Sequence, residues 1–278
     1  MTAALLPRRT ERARSRPRAT LVLAIAVLAV SLAWAIVPWL FTAHDPLAGV
    51  AADALQAPSA AHPFGTDATG RDLLARVIFG AGNSLAGAAI AVLVGFVAGT
   101  AIGVLAGSTG GIVEEALMRV VDVLLAIPGL LLALSVIVLL GFGVTNAAIA
   151  VGVTSIAVFA RLARSQVVRV RRSDYVEAAF GSGGSFAAVL WRHVLPNSLG
   201  AVLALAALQF GSAILQISTL GFLGYGAPPP TPEWGLLIAE SRDYVATAWW
   251  LTTLPGIVVA AVVLAANRVA AAVREGTA

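Results

Sequence analysis

The chain has 278 residues, 59% of them hydrophobic, a mean hydropathy of +0.91 and a formal charge of +4. Soluble domains hold about 45–50% apolar residues, so the composition excludes a water-soluble globule and implies an integral membrane protein. All 18 basic residues are arginine and cysteine is absent, which excludes a P-loop or Schiff-base lysine, disulfides, thiolate nucleophiles and cysteine metal sites.

In chain order, residues 1–19 carry Arg8, Arg9, Arg12, Arg14, Arg16 and Arg18 without apolar periodicity. They read as a solvated tail beside anionic headgroups. Residues 20–41 are long enough to cross a hydrocarbon core of roughly 30 Å, and longer than the apolar core of a cleaved signal peptide, which predicts an uncleaved first span. Residues 42–82 form an external segment in which His62-Pro-Phe-Gly-Thr-Asp67 and Gly70-Arg71-Asp72 precede a short amphipathic stretch, Leu73 to Phe79. His62, Asp67 and Asp72 lack metal-ligand spacing, and a hydrogen-bonded turn is the favoured reading over a metal site.

The second span, Ser84 to Ala106, carries Gly87, Ala91, Gly95, Gly99, Gly103 and Gly107 four residues apart. Small residues in that register predict close packing against another helix. A short internal loop with Glu114, Glu115 and Arg119 leads to a third span, Val120 to Leu140. Asp122 near its start is expected to be structural rather than a proton carrier. The fourth span, Asn146 to Phe159, continues through Arg161 and Arg164, whose long side chains can snorkel to water.

A polar and basic island follows within the loop 166–197. Asp174 and Glu177 have capping-box spacing, predicting a helix from Tyr175 that carries Ala178 and Ala179. Gly181, Gly183 and Gly184 break it. Ser185 can cap a second helix whose Phe186, Val189, Leu190 and Val194 make one apolar stripe, and Pro196 is expected to end it by pushing Leu195 out of the helical region. In the fifth span, Ser198 to Leu223, the residues Gln209, Ser212, Gln216 and Thr219 share one helical face. That stripe reads as the lining of a translocation pathway, with interhelical hydrogen bonding as the alternative. An external segment, Gly224 to Thr247, precedes the sixth span. Trp249 and Trp250 suit its headgroup boundary, and it ends near Asn267.

Glu177-Ala178-Ala179, three residues, Gly183, nine residues and then His193-Val194-Leu195-Pro196 resembles the EAA loop of ABC-transporter permeases. His193 stands where the general pattern has isoleucine, and a histidine before V-L-P is similar to the dipeptide, oligopeptide and nickel importer branch. The segments HPFGTD..GRD, RVVDVLLAIP, LGFLGYG and PPTPEWG resemble the same branch. The resemblance implies an all-α permease fold of six transmembrane helices, with the permease domain over 83–270 and a short C-terminus at 271–278. It further implies a coupling helix docking on a separate ATPase, through Glu177, Ala178, Ala179, Gly183, His193, Leu195 and Pro196. The implied partners are a second homologous permease, two ATPase subunits or domains that use ATP and magnesium, and an external substrate-binding protein. The chain itself is expected to bind no cofactor, metal or nucleic acid. The implied cargo is peptide or a related small solute, with nickel chelates or glutathione as alternatives.

Orientation follows from the arginines: fifteen of the 18 fall in the tail, the 119 and 161–192 regions and the C-terminus, and Arg71, Arg76 and Arg242 fall outside them. The positive-inside rule puts both termini in the cytoplasm of a prokaryotic inner membrane. This banding suits lipid headgroups better than nucleic acid, despite the pI near 10.6. The rival class, an ion-gradient transporter, would place ionisable groups at midplane and often show inverted repeats, neither of which is evident. An intramembrane enzyme would need a nucleophile with a base or a metal cluster, whereas His44, His62 and His193 all lie outside mid-span.

Overall fold

A computed structural model describes residues 18–276, and the basic tail before Arg18 and the last two residues lie outside them. Among the described residues the chain is helical, with one isolated β-bridge between Thr66 and Asp72. Five helices among the described residues are long and apolar enough to cross a membrane, and a bent pair supplies a sixth span if its two halves count as one.

Helix α1 runs Arg18–Ile36 and ends five residues before the expected boundary, where a 3-10 turn, Pro38–Leu40, takes over. Helix α2, Leu73–Thr109, is 37 residues long and fuses the expected amphipathic stretch with the second span. Leu73 to Asn83 contains no proline, its Gly80 and Gly82 are tolerated within the helix, and Asp72 caps its start by accepting from Ala75 N–H at 2.7 Å. At 1.5 Å per residue it extends roughly 55 Å, longer than a hydrocarbon core.

The third span is a correction. Residues 120–140 are not one helix: α3, Gly111–Ala126, and α4, Gly129–Leu140, meet at 98°. Pro128 forces the break, because the residue before a proline is driven extended and Ile127 sits at φ −85°, ψ 129°. Helix α5, Val144–Arg171, is 28 residues long and carries Arg161 and Arg164 within its last turns. Arg164 pairs with Glu114, and Arg161 with Asp122, so Asp122 is held by a cation.

Helices α6, Asp174–Gly181, and α7, Phe186–Val189, form a short elbow. A π-helical turn, Leu190–Val194, then joins α7 to α8, Leu195–Phe222. Helix α9, Trp234–Glu240, is short, and α10, Trp250–Gly276, closes the fold. Of the two tryptophans expected at the boundary, Trp249 is exposed. Trp250 is buried against Leu73 and Leu251.

Helices α2 and α5 form the central seam, with α8 packed against both, α10 on the far side of α8, and α1 along α2 and α10. Apolar burial drives little association in lipid, so the seam depends on close backbone approach. The glycines in the second half of α2 face α5: a Cβ at Gly99 would meet the Ile156 carbonyl oxygen at 2.5 Å, and one at Gly103 the Ala160 oxygen at 2.4 Å. Gly95 and Gly107 lie against Ser155 and Val167 of the same helix. The apolar core continues from this seam through Ala88, Ala148, Ile217 and Val262.

Candidate functional site

The elbow between α5 and α8 is built by local chemistry. Ser173 is its first cap, with extended backbone at φ −85°, ψ 145°, and its carbonyl accepts from Val176 and Glu177 N–H at 3.0 and 3.2 Å. The expected capping box does not form: helix α6 begins at Asp174, one residue early, because Ser173 takes the extended backbone, and the Ser173 hydroxyl donates to the Val170 carbonyl at 2.5 Å instead of capping the helix. Asp174 and Glu177 lie in its first turn, where negative charge complements the helix dipole.

Helix α6 closes in a Schellman motif. Gly183 N–H donates to the Phe180 carbonyl at 2.9 Å, Gly184 N–H donates to the Ala179 carbonyl at 3.0 Å, and Gly183 has φ +87°. The two glycines serve different needs. Gly183 has open space around it but a left-handed backbone, whereas a Cβ at Gly184 would meet the Ala179 oxygen at 2.7 Å. Ser185 then caps α7, its Oγ accepting from Ala188 N–H at 3.4 Å.

Pro196 does not end the second helix, and Leu195 remains helical at φ −57°, ψ −54°. Leu195 N–H donates to the Leu190 carbonyl five residues back, and the resulting wide turn places Pro196 in the first turn of α8, where a missing N–H costs little. Asn197 Nδ2 donates to the His193 carbonyl at 2.6 Å and Ser198 Oγ to the Val194 carbonyl at 2.8 Å, adding bonds across the junction. The helical path therefore runs from Phe186 to Phe222.

One face of the elbow is anchored and the other is open. Val176, Val189 and Val194 are buried against Val167 and Val170 of α5. Phe186, expected in the same stripe, instead joins Tyr175, Phe180 and Trp191 among the exposed large side chains, and Trp191 is 72% exposed. Glu177 and Ala178 are exposed, and Ala179 and His193 half-buried.

The polar stripe of α8 divides. Gln209 Nε2 donates to Ser155 Oγ of α5 at 3.5 Å, beside Gly95, so it faces the central seam. Ser212 and Gln216 are half-buried, and Thr219 is exposed with its hydroxyl on the Leu215 carbonyl.

At the opposite end of α2, residues 42–72 and 224–249 form a cap that sequence reasoning resolves only as loops. Arg76 is fully buried there, with Nη2 3.0 Å from Glu240 and Nε 3.6 Å from Asp67. Asp67 also takes Arg71 Nε at 2.6 Å. Burial raises the Asp67 pKa, but bonds from Arg71 and Thr69 outweigh it and hold the carboxyl below its usual range. Glu233 caps α9 by accepting from Gly235 and Leu236 N–H, both at 2.8 Å, and Ser84 Oγ donates to it at 3.2 Å. Its burial outweighs these bonds and pushes its carboxyl up. Trp234, fully buried, donates to the Val77 carbonyl at 2.9 Å and so locks α9 onto α2. The turn reading of the HPFGTD segment holds in part: His62 Nδ1 lies 2.8 Å from Asp72, while Asp67 turns to the arginines.

Residues 99–277 match the family model described as the binding-protein-dependent transport system inner membrane component. The chain is 37% identical over 221 residues to the dipeptide transport system permease protein DppC of Alkalihalophilus pseudofirmus, covering 80% of this chain and 73% of that one. It is 38% identical to the probable D,D-dipeptide transport system permease protein DdpC of Escherichia coli K12, covering 85% and 79%. To the glutathione transport system permease protein GsiD of Shigella flexneri it is 40% identical, covering 78% and 72%. Among solved structures, an inward-facing MetNI methionine ABC transporter shares the fold with a TM-score of 0.56 and 21% identity, over 72% of this chain and 96% of that one.

Proposed function

As the chain belongs to the family of binding-protein-dependent transport system inner membrane components, we propose that it imports peptides or glutathione-like solutes, with residues 173–196 as its contact to a separate ATPase. It is a transport subunit and not itself an ATPase. The cargo reading rests on the names of the dipeptide and glutathione relatives.

The observation that carries the coupling role is the continuity of Phe186 to Phe222. An exposed elbow, anchored by three valines to α5 and joined without a loop to a span, passes displacement at its surface into two membrane helices. A second permease would complete the pathway, and a binding protein would deliver solute to the cap. ATP-driven closure of the ATPase pair would tilt α5 and α8 so that access alternates. The distribution of arginines supports a cytoplasmic elbow, cytoplasmic termini and a prokaryotic inner membrane.

The test is the reconstituted complex with Gly183→Val. A β-branched residue at φ +87° is strained by roughly 1–2 kcal/mol and disrupts the Schellman closure. Solute-stimulated ATP hydrolysis should separate from uptake while the complex still assembles. Unchanged coupling would remove the elbow from the mechanism.

A further inference from the structure

The geometry points to a divalent transition-metal site at the cap, formed by His44, His62 and Asp72, with zinc as the representative ion. One ligand atom from each lies within 4.8 Å of the other two. His62 Nδ1 and Asp72 Oδ2 are 2.8 Å apart, close to the separation of neighbouring ligands on one ion. Metal–ligand bonds of roughly 2.0–2.2 Å put ligand atoms about 3.3 Å apart in a tetrahedron, so closure requires about 1.5 Å of movement at most. His44 can supply it: its ring is exposed and stands beside that of His62, centroids 5.3 Å apart.

Asp72 is the fixed member. It is 4% exposed, and its Oδ1 is held by Ala75 N–H at 2.7 Å, which leaves Oδ2 turned toward His62. Such an outer hydrogen bond is what orients a ligating carboxylate. The nearby arginines are engaged elsewhere, Arg71 with Asp67 and Arg76 with Glu240, so His62 is the one ion-pair partner Asp72 has among the described residues. Two imidazoles and one carboxylate, with remaining positions open to water, suit zinc, cobalt, nickel or copper. Calcium and magnesium call for more oxygen ligands. Occupation would tie the segment after α1 to the first turn of α2, clamping the cap next to the Arg76–Glu240 pair.

The test uses the full chain in detergent, purified without a histidine tag, stripped with chelator and titrated with zinc against a chromophoric competitor. Cobalt serves as a spectroscopic probe. One zinc should bind per chain, and cobalt should give the visible bands of a four- or five-coordinate nitrogen–oxygen site. His44→Ala should weaken zinc by more than the roughly 10–100-fold that losing an outer partner of a metal ligand costs. His193→Ala, at the other end of the molecule, should leave binding unchanged and serves as the control. Zinc should also raise the melting temperature of the wild type and not of His44→Ala. His62→Ala removes a lock of the cap as well as a ligand, so His44 is the discriminating position. The proposal is overturned if the wild type binds no stoichiometric zinc, if His44→Ala binds like wild type, or if His193→Ala lowers the affinity equally. Binding is read without partners or uptake, so its failure leaves the transport assignment standing.

Discussion

Gly103→Ala is the sharpest probe of the central seam. The added Cβ would sit 2.4 Å from the Ala160 oxygen, 2.7 Å from Ala163 Cβ and 2.8 Å from Arg164 N, where ordinary contact begins at 3.4 Å. The first and last obstacles are backbone, so no rotamer change relieves them, and α2 and α5 must separate by up to about 1 Å. Overpacking costs about 1–3 kcal/mol, and clashes with backbone that no rotamer relieves put this one at about 2–3, partly offset by the gain of about 1 kcal/mol from alanine's helix propensity. The net loss of about 1–2 kcal/mol should lower the apparent melting temperature of the full chain in detergent by about 2–8 °C. Gly99→Ala should follow closely. Gly107→Ala should be milder because its nearest obstacle is Val167 Cβ at 2.9 Å, and Gly87→Ala milder still, against side-chain methyls at 3.3 Å. Gly200 and Gly256 sit in α8 and α10 with nothing within 4 Å, so alanine there should be neutral or stabilising by about 0.4–1 kcal/mol. If Gly103→Ala melts with these controls, close backbone approach does not hold the seam together.

Three further outcomes are expected. Glu233, with its carboxyl raised above the ordinary 4.5, contributes stability that is complete below that value and lost as pH rises through the raised one. Melting followed across this range should show that loss, and Glu233→Gln should flatten it; an unchanged slope in the variant assigns the dependence to another group. Glu240→Ala leaves Arg76 buried without its closest carboxylate and should cost about 1–3 kcal/mol, below the roughly 3–5 of a fully buried pair because Glu240 stays 30% exposed. Denaturation of the isolated chain measures it, and a loss under 0.5 kcal/mol (about the effect of an ordinary surface change) counts against the role of the pair. Single cysteines along α8 should react with a water-soluble thiol reagent in the assembled transporter at Thr219, Gln216 and Ser212, and slowly at Gln209, which bonds Ser155. Equal labelling of Gln209 and Thr219 would show that the stripe lies wholly on the water path.

Features written within a few residues of sequence were legible, and features that depend on distant partners were not. The glycine pair at 183–184 and the cap at Ser185 are local, so the elbow's hinge can be read from type and spacing. Pro196 misleads because a proline near a helix end looks the same whether it stops one helix or starts the next. The π turn that decides between them involves backbone bonds that no side chain announces. The run from Val120 to Leu140 is apolar on both sides of Pro128, so hydropathy conceals the 98° bend. The cap is the clearest case. Arg76 meets Glu240 across 164 positions and Ser84 meets Glu233 across 149, separations at which residue type carries no hint of contact. His44 likewise reads as a lone loop histidine until the fold brings it beside His62.

The two ends of the molecule are linked through α8 itself. Its first turn grows out of the elbow. Near its last turn a Cβ at Gly235 of α9 would lie 2.4 Å from the Ser218 oxygen, and one at Gly221 would lie 2.6 Å from Glu233 Oε2. Such backbone contact leaves no slack, so a shift or rotation of α8 displaces α9. Helix α9 is in turn fixed to α2 by Trp234 and the Ser84–Glu233 bond. A push at residues 186–194 therefore reaches the cap through one rigid helix of roughly 42 Å and one tight joint, with no ionisable group needed at midspan. Ser212, Gln216 and Thr219 of α8 lie between those ends, where tilting this helix would alter the width of any passage it lines.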